Sequence, residues 1–135
     1  FDSMWHSTET MAQTIAEAFT EKGEPVKLFD LKQTHISDIV VSLLDCKYVA
    51  VGSPTLNNNM LPTVAAFLCY MKGLSPKNRQ AFSFGSYGWG GQANGQIEEE
   101  LKKCGFDICL ETLKIQYIPS EEQLKELSEK IKSLK

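Results

Sequence analysis

Residues 3–8 of this 135-residue chain read Ser-Met-Trp-His-Ser-Thr and lead into a predicted helix. Hydroxyls and free backbone N–H groups at a helix N-terminus attract phosphate, because the helix dipole and the unpaired donors both favour an anion. The segment lacks the GxxxxGK[ST] motif, so we do not expect it to bind ATP or GTP. Simple capping of the helix by Ser7 or Thr8 explains the same hydroxyls and stays an alternative here.

Two further segments contain residue types that suit a ligand. Residues 53–59 read Ser-Pro-Thr-Leu-Asn-Asn-Asn, which offers donors, acceptors and left-handed turn conformations, although a generic surface turn has the same composition. Residues 85–91 read Gly-Ser-Tyr-Gly-Trp-Gly-Gly. Glycines supply no packing, so this pattern suits a loop whose backbone approaches a flat ligand while an aromatic ring stacks on it. A tryptophan packed beneath its own loop is the alternative.

The rest of the chain alternates between strand and helix patterns, which predicts βαβ units and a parallel sheet. Ser120 and Gln123 form a predicted capping box at the start of the last helix, which Leu124, Leu127, Ile131 and Leu134 continue. The other predicted elements are helices over residues 8–22, 37–45 (with Ser37 as N-cap), 62–72 and 92–103, and strands over residues 26–31, 48–52, 81–85 and 109–118.

We therefore predict one α/β domain over residues 1–135, a doubly wound parallel sheet with helices on both faces. Ligands of such sheets bind outside the carboxyl ends of the strands, where the three segments above would meet. They outline a pocket with a phosphate end, a polar middle and an aromatic wall, as a flavin mononucleotide (FMN) site requires.

The first strand of this fold is missing from the predicted elements, because only Phe1 and Asp2 precede the first loop. A sheet of this kind needs about five residues there. Its absence leaves unpaired edges on both neighbouring strands. We expect the chain to be a fragment of a longer one.

Composition excludes several classes of protein. Lys plus Arg number 14 and Asp plus Glu 17, a net charge of −3, which argues against nucleic-acid binding. No apolar run is long enough to span a membrane, and a cytoplasmic location follows weakly. The four cysteines form no CxxC pair, so we expect reduced thiols.

The three segments resemble the flavodoxin-like domain of the flavodiiron proteins (A-type flavoproteins). Residues 3–8, the run Gly-Ser-Pro-Thr-Leu-Asn at residues 52–57 and the run Gly-Ser-Tyr-Gly-Trp-Gly at residues 85–90 carry the resemblance, and Leu61-Pro62-Thr63, Lys72-Gly73-Leu74 and Pro76-Lys77 fit it. The resemblance implies that FMN is the cofactor and that Trp89 stacks on its ring. The implied phosphate contacts are Ser3, Met4, Trp5, His6, Ser7 and Thr8; the implied contacts to the ribityl chain and flavin ring are Pro54, Thr55, Leu56, Asn57, Asn58, Ser86, Tyr87, Gly88, Trp89 and Gly90.

In that family the flavin takes electrons from rubredoxin or a similar donor and passes them to a non-haem diiron centre that reduces dioxygen or nitric oxide. The diiron centre belongs to a separate metallo-β-lactamase-like domain. This chain has only two histidines and no HxExD motif, so we expect it to lack the terminal reductase activity by itself. The resemblance also allows a homodimer. A free-standing flavodoxin-type carrier is an alternative, and a cofactor-free receiver-like interaction domain is a weaker one.

Overall fold

A parallel sheet built around one central strand, β2 (Gln80–Tyr87), runs through the computed structural model, which describes residues 1–74 and 78–134. Strand β1 (Tyr48–Gly52) pairs with β2 in parallel, with Tyr48 opposite Gln80 and Gly52 opposite Phe84. On the far side of β2, strands β3 (Asp107–Ile108) and β4 (Leu113–Gln116) pair with it one after the other, also in parallel. The predicted parallel sheet is confirmed.

Five helices of the described residues cover both faces of this sheet: α1 (Ser7–Glu21), α2 (Ile36–Leu43), α3 (Pro62–Leu74), α4 (Gln92–Lys103) and α5 (Glu121–Lys132). Each face has its own apolar cluster. On one face α1 and α5 pack against Phe82 and Phe84 of β2. On the other face α2, α3 and α4 pack against Val49, Val51 and Ala81.

Most helix ends follow the local sequence signals. After α1, Gly23 adopts a φ of 84°, and the N–H groups of Gly23 and Glu24 bond back to Thr20 and Phe19 in a Schellman motif. The predicted capping box of Ser120 and Gln123 is present at α5.

The N-cap of α2 differs from the prediction. It is His35 rather than Ser37, because the His35 backbone is extended and its Nδ1 accepts the Ser37 N–H at 3.2 Å. Helix α2 also ends at Leu43, two residues before the predicted end. Pro76 and Lys77, which fitted the family resemblance, lie outside the described residues.

Three strand predictions need correction. Residues 26–31 form no strand, although Phe29 and Leu31 both bond to Phe1. Strand β2 continues to Tyr87, because β4 pairs with its last four residues. The predicted final strand over residues 109–118 is shortened to β4, and the two-residue strand β3 lies just before the predicted range.

Side-chain hydrogen bonds fix the position of Thr112, which lies between β3 and β4. Thr112 Oγ1 donates to Glu98 of α4 at 2.7 Å, and it lies 3.0 Å from Ser83 Oγ on β2. The Ser83 hydroxyl in turn donates to the Asn94 carbonyl at 3.0 Å. Thr112 is thereby tied to α4, whereas the Cys109 N–H still donates to the Ala81 carbonyl of β2 at 3.0 Å.

Two remaining findings concern the thiols and the membrane. The four cysteines are free thiols, as predicted. Among the helices of the described residues, none combines the length and apolar character needed to cross a membrane.

Gly85 of β2 permits Ser53, the residue that follows β1, to approach the β2 backbone closely. A Cβ at this position would lie 2.0 Å from the Ser53 carbonyl oxygen, a backbone atom that cannot swing away. We expect Gly85→Ala to lower the free energy of unfolding by about 1–3 kcal/mol, the usual cost of overpacking. Urea unfolding followed by circular dichroism measures it.

The matched control is Gly95→Ala on α4, where a Cβ meets nothing within 4 Å and the backbone is helical. We expect this control to raise the free energy of unfolding by about 0.5–1 kcal/mol. Equal effects of the two substitutions would show that the approach of Ser53 to Gly85 does not matter.

Candidate functional site

The three predicted loops leave the same edge of the sheet. Loop 1 (residues 3–6) follows Phe1 and Asp2, and the Asp2 N–H donates to the Gly52 carbonyl of β1 at 3.1 Å. Loop 2 (residues 53–61) follows β1, and loop 3 (residues 88–91) follows β2. Since these segments run in parallel, the loops share the carboxyl edge where open α/β sheets bind ligands.

Loop 1 leaves the N-terminus of α1 open. The N-cap is His6, whose backbone is left-handed with a φ of 67°, and no side chain caps the helix. The first helical hydrogen bond is the one from Thr10 N to His6 O, at 2.9 Å. The alternative of capping by Ser7 or Thr8 is therefore wrong, and the first-turn N–H groups face outward as an anion site requires.

The side chains of loop 1 have different exposures. Met4, Trp5 and His6 are exposed, and the His6 imidazole pairs with Glu9 at 2.7 Å. Ser3 is buried, and its Oγ meets no hydrogen-bond partner among the described residues. An unpartnered buried hydroxyl next to an uncapped helix N-terminus fits a ligand that brings acceptor oxygens.

Thr8 and Ser86 bond to each other. Thr8 Oγ1 lies 3.1 Å from Ser86 Oγ and accepts the Ser86 N–H at 3.2 Å, and both residues are buried. Both hydroxyls, predicted to contact a ligand, are thus engaged within the protein. They tie the first turn of α1 to the end of β2.

The buried carboxylate of Asp2 fixes loop 1 from behind. Its Oδ1 accepts the Ser3 N–H at 2.7 Å and lies 3.1 Å from Lys32 Nζ, while its Oδ2 accepts the Thr63 hydroxyl. Lys32 also donates to the Ser3 carbonyl. Burial by itself raises the pKa of Asp2, but the bonds from Thr63, Ser3 and Lys32 outweigh it, so this pKa lies below the usual value.

Asp2, Lys32 and Thr63 were not predicted to be part of the site. Asp2 stands at a strand end immediately before a loop, a position that could have drawn attention to it. The partners Lys32 and Thr63 lie 30 and 61 residues further along the chain, so no local pattern connects them to Asp2.

Loop 2 makes the left-handed turn that its asparagines predict. Asn57 and Asn58 have φ of 51° and 64°, and the flanking Leu56 and Asn59 exchange two backbone hydrogen bonds of 2.8 and 2.9 Å. Leu56, Asn57 and Asn58 are exposed at its tip.

The base of loop 2 is attached to α4. Pro54 is buried, and Thr55 Oγ1 accepts the Ala93 N–H at 3.2 Å. Gln96 Nε2 donates to the Asn58 carbonyl at 3.2 Å and to Asn59 Oδ1 at 2.8 Å, a role that sequence reasoning missed. The loop is held at its base and open at its tip.

Loop 3 is shorter than predicted, because Gly85, Ser86 and Tyr87 belong to β2. Gly90 and Gly91 have φ of 76° and 70°, which glycine adopts freely. These two positive φ values close the loop and carry the chain into α4.

Trp89 is 83% exposed, so the alternative of a tryptophan packed beneath its loop is wrong. A Cβ on Gly88 would meet only the Tyr117 ring, at 3.5 Å, so packing within the protein does not demand glycine there. Trp5 of loop 1 is similarly exposed, at 82%. The site thus presents two uncovered indoles, as a flat aromatic ligand requires.

The residues present therefore fit FMN at both ends. The uncapped helix and the Ser3 hydroxyl suit its phosphate, while the exposed Trp89 suits its ring. They do not suit a metal ion, since the part of the chain that the structure describes contains no group of three or more His, Cys, Asp or Glu side chains able to hold one.

Comparison with known proteins gives a family match and several relatives. The family model described as Flavodoxin matches residues 1–131. The chain is 44% identical over 134 residues to the rubredoxin-oxygen oxidoreductase of Megalodesulfovibrio gigas, covering 97% of this chain and 33% of that one. It is 41% identical over 135 residues to the nitric oxide reductase of Moorella thermoacetica, covering 97% and 34%.

Solved structures show the same relationship. The rubredoxin oxygen:oxidoreductase from Desulfovibrio gigas superposes with a TM-score of 0.95 at 41% identity, covering 98% of this chain and 33% of that one. The flavodiiron protein from Giardia intestinalis gives 0.90 at 33% identity, covering 98% and 33%. The chain spans about a third of the length of the curated relatives it matches.

The Asp2 anchor should make stability depend on pH. A carboxylate whose pKa is lowered by folding stabilises the fold above its unfolded pKa of about 4 and loses that contribution as the pH falls through the lowered value. We expect Asp2→Asn to lower the free energy of unfolding by about 1–3 kcal/mol at pH 7, as for other hydrogen bonds to buried charges. The difference from the unmodified chain should shrink below about pH 4.

Urea unfolding between pH 3 and 7 measures this difference. The matched control is Asp107→Asn, an exposed carboxylate on β3, for which we expect less than about 0.5 kcal/mol at every pH. A constant difference between Asp2→Asn and the unmodified chain down to pH 3 would contradict the role of the ionised carboxylate.

Proposed function

We propose, since this chain belongs to the flavodoxin family, that it carries electrons from a rubredoxin-like donor to a non-haem diiron centre held by another domain of its parent protein. The chain is a flavodoxin-like domain similar to those of the flavodiiron proteins, and FMN is its cofactor. FMN supplies the one- and two-electron chemistry, while the protein supplies binding, orientation and electrostatics.

The observation that carries the proposal is that one edge of the sheet holds both groups suited to a phosphate and exposed aromatic rings suited to a flat ligand. The α1 N-terminus is open and the buried Ser3 hydroxyl lacks a partner among the described residues, while Trp5 and Trp89 are exposed. Few ligands combine a phosphate with a large flat ring in this way.

At the phosphate end, loop 1 would act mainly through backbone donors. The N–H groups of Ser7 and Thr8 face outward from the uncapped helix, and Ser3 would add its hydroxyl. Loop 1 contains neither Lys nor Arg. The helix dipole and oriented N–H groups would thus hold the phosphate charge.

At the ring end, Trp89 would stack on the flavin and the turn of loop 2 would cover the ribityl chain and one ring edge. The left-handed turn at Asn57 and Asn58 leaves their side-chain amides exposed, free to donate and accept. The full proposed set is Ser3, Met4, Trp5, His6, Ser7, Thr8, Pro54, Thr55, Leu56, Asn57, Asn58, Ser86, Tyr87, Gly88, Trp89 and Gly90.

We propose the electron donor and the electron acceptor from the names of two relatives and from the small number of histidines in this chain. One relative is named a rubredoxin-oxygen oxidoreductase and another a nitric oxide reductase. This chain has only two histidines, and His6 and His35 lie in separate loops. The terminal reduction of dioxygen or nitric oxide would therefore belong to the other domain.

Replacement of Trp89 tests the ring end of the site. Because aromatic stacking contributes about 0.5–1.5 kcal/mol beyond buried area, we expect Trp89→Ala to weaken FMN binding by about two- to twelvefold and to shift the visible flavin spectrum. Fluorescence titration of the apoprotein with FMN gives the affinity.

The matched control is Tyr70→Ala, which removes a half-exposed aromatic ring from α3 and should leave affinity and spectrum unchanged. Trp89→Phe should retain most of the affinity. Unchanged affinity and spectrum in Trp89→Ala would rule out stacking at this residue.

Electron transfer by the FMN-loaded chain tests the function as a whole. On anaerobic mixing with reduced rubredoxin, we expect the visible absorbance of the flavin to bleach in a stopped-flow instrument. We also expect the loaded chain alone to leave nitric oxide unconsumed, because its described residues offer no ligand set for iron. No bleaching with rubredoxin would remove this donor from the proposal, and consumption of nitric oxide would contradict the assignment of terminal reduction to another domain.

A further inference from the structure

A fourth loop leaves the carboxyl edge of the sheet beside loop 3. Loop 4 (residues 117–119) follows β4 and precedes Ser120, the N-cap of α5. Strand β4 pairs with β2 on the side away from β1, because Phe84 of β2 lies opposite Gly52 of β1 and opposite Leu113 of β4. Loop 4 therefore lies on the opposite side of loop 3 from loop 2. None of its residues belongs to the proposed FMN site.

Tyr117 begins loop 4 with a backbone conformation that is unfavourable for its side chain. Its φ is 60°, a left-handed value that glycine adopts freely and bulky residues adopt rarely. An extended Tyr117 would follow Ile115 toward the α1–α5 face, because alternate residues of a strand share a face. The left-handed φ takes Tyr117 out of this alternation and leaves it 56% exposed. Strain of this kind persists only where the surrounding structure imposes it, and it is concentrated at functional sites.

Three contacts join Tyr117 and the end of β4 to the start of loop 3. The Tyr117 N–H donates to the Tyr87 carbonyl at 2.7 Å, one residue beyond the last ladder pair of β4 and β2. The Tyr117 ring lies against the α-carbon of Gly88, since a Cβ there would be 3.5 Å from the ring. The Gln116 side-chain amide donates to the Gly88 carbonyl at 3.4 Å. Gly88, the residue before Trp89, is thus contacted at both its α-carbon and its carbonyl.

The rest of loop 3 is built for freedom rather than for order. Trp89 is 83% exposed, and Gly90 and Gly91 follow it. Glycine has more backbone conformations to lose on ordering than any other residue. An indole on such a segment has many orientations unless the residue before it is fixed. The contacts with Gly88 therefore reduce this freedom before a ligand arrives, which lowers the entropy that is lost on binding.

We propose that Tyr117 is a positioning residue of the FMN site, whose ring and backbone hold Gly88 and thereby orient Trp89 for stacking. This inference rests on the proposed function, since it takes Trp89 as the residue that stacks on the flavin. It adds that Tyr117 acts through loop 3 from the side away from loop 2, and not by contact with FMN. The left-handed φ is the conformation that keeps the ring beside Gly88.

Variants of Tyr117 and of its neighbour test this proposal, first without FMN. Tyr117→Gly and Tyr117→Asn remove the ring with residues that accept a left-handed φ, whereas Tyr117→Phe keeps the ring and loses only the hydroxyl. Ile118→Ala is the matched control, because Ile118 is adjacent and 82% exposed. NMR relaxation of the apoprotein gives the order parameters of the Gly88 and Trp89 amides. We expect them to fall from about 0.85 to below about 0.6 in the two ring-free variants, and to stay unchanged in Tyr117→Phe and Ile118→Ala.

The second measurement is the affinity for FMN, by fluorescence titration of the same apoproteins. We expect the ring-free variants to bind about three- to tenfold more weakly, because loop 3 must then be ordered during binding. Tyr117→Phe and Ile118→Ala should stay within about 1.5-fold of the unmodified chain. The urea midpoint of Tyr117→Gly should not fall, since glycine relieves the left-handed strain. A residue with a merely structural role would not lower the affinity while the stability is kept.

Other results would overturn the proposal. Rigid amides in the ring-free variants would show that Tyr117 does not hold loop 3, and mobile amides with unchanged affinity would show that holding it has no effect on FMN. An equal effect of Ile118→Ala would assign the effect to loop 4 as a whole. Absence of FMN binding to the unmodified chain would overturn the proposed function and this role together. Binding to the unmodified chain with rigid amides in both ring-free variants would overturn this role alone.

Discussion

The ionised carboxylate of Asp2 joins parts of the molecule that are distant in sequence, and the position of loop 1 at the carboxyl edge of the sheet depends on it. It accepts hydrogen bonds from the Ser3 backbone and from Thr63 at the start of α3, and it pairs with Lys32. A buried carboxylate is costly unless every one of these partners is in place. Loop 1, α3 and the segment after residue 31 must therefore assemble together, and the same contacts that satisfy the charge also set the direction of loop 1.

The loops of the site are rigid at the base and open at the tip. Thr8 and Ser86 bond below loop 1, and Thr55 and Gln96 attach loop 2 to α4. By contrast, Trp5, Trp89 and the loop 2 turn extend into solvent. Because the backbone is already fixed at the base of each loop, it loses less conformational entropy when a ligand binds. The exposed side chains at the tips still offer large surfaces for contact.

Local chemistry explains which features could be predicted from the sequence. The turn at Asn57 and Asn58 and the Ser120 capping box depend on residues within a few positions of one another, and both were predicted. The end of α1 at Gly23 is equally local. The parallel sheet followed from alternating patterns. The glycine- and aromatic-rich end of β2 resembles a loop by composition, but pairing with β4 makes it a strand. Contacts such as Thr112 with Glu98, or Asp2 with Thr63, have no local signature.

The break between β3 and β4 has a consequence beyond the hydrogen bonds that hold it. In the described residues these strands pair six residues with β2, in two short pieces separated by a segment in which Thr112 bonds to α4. A long straight edge is a template on which other chains can add strands and aggregate. Because pairing is interrupted between Ile108 and Leu113, this edge of the sheet presents only short pieces to an added strand, and its shape disfavours intermolecular sheet growth there.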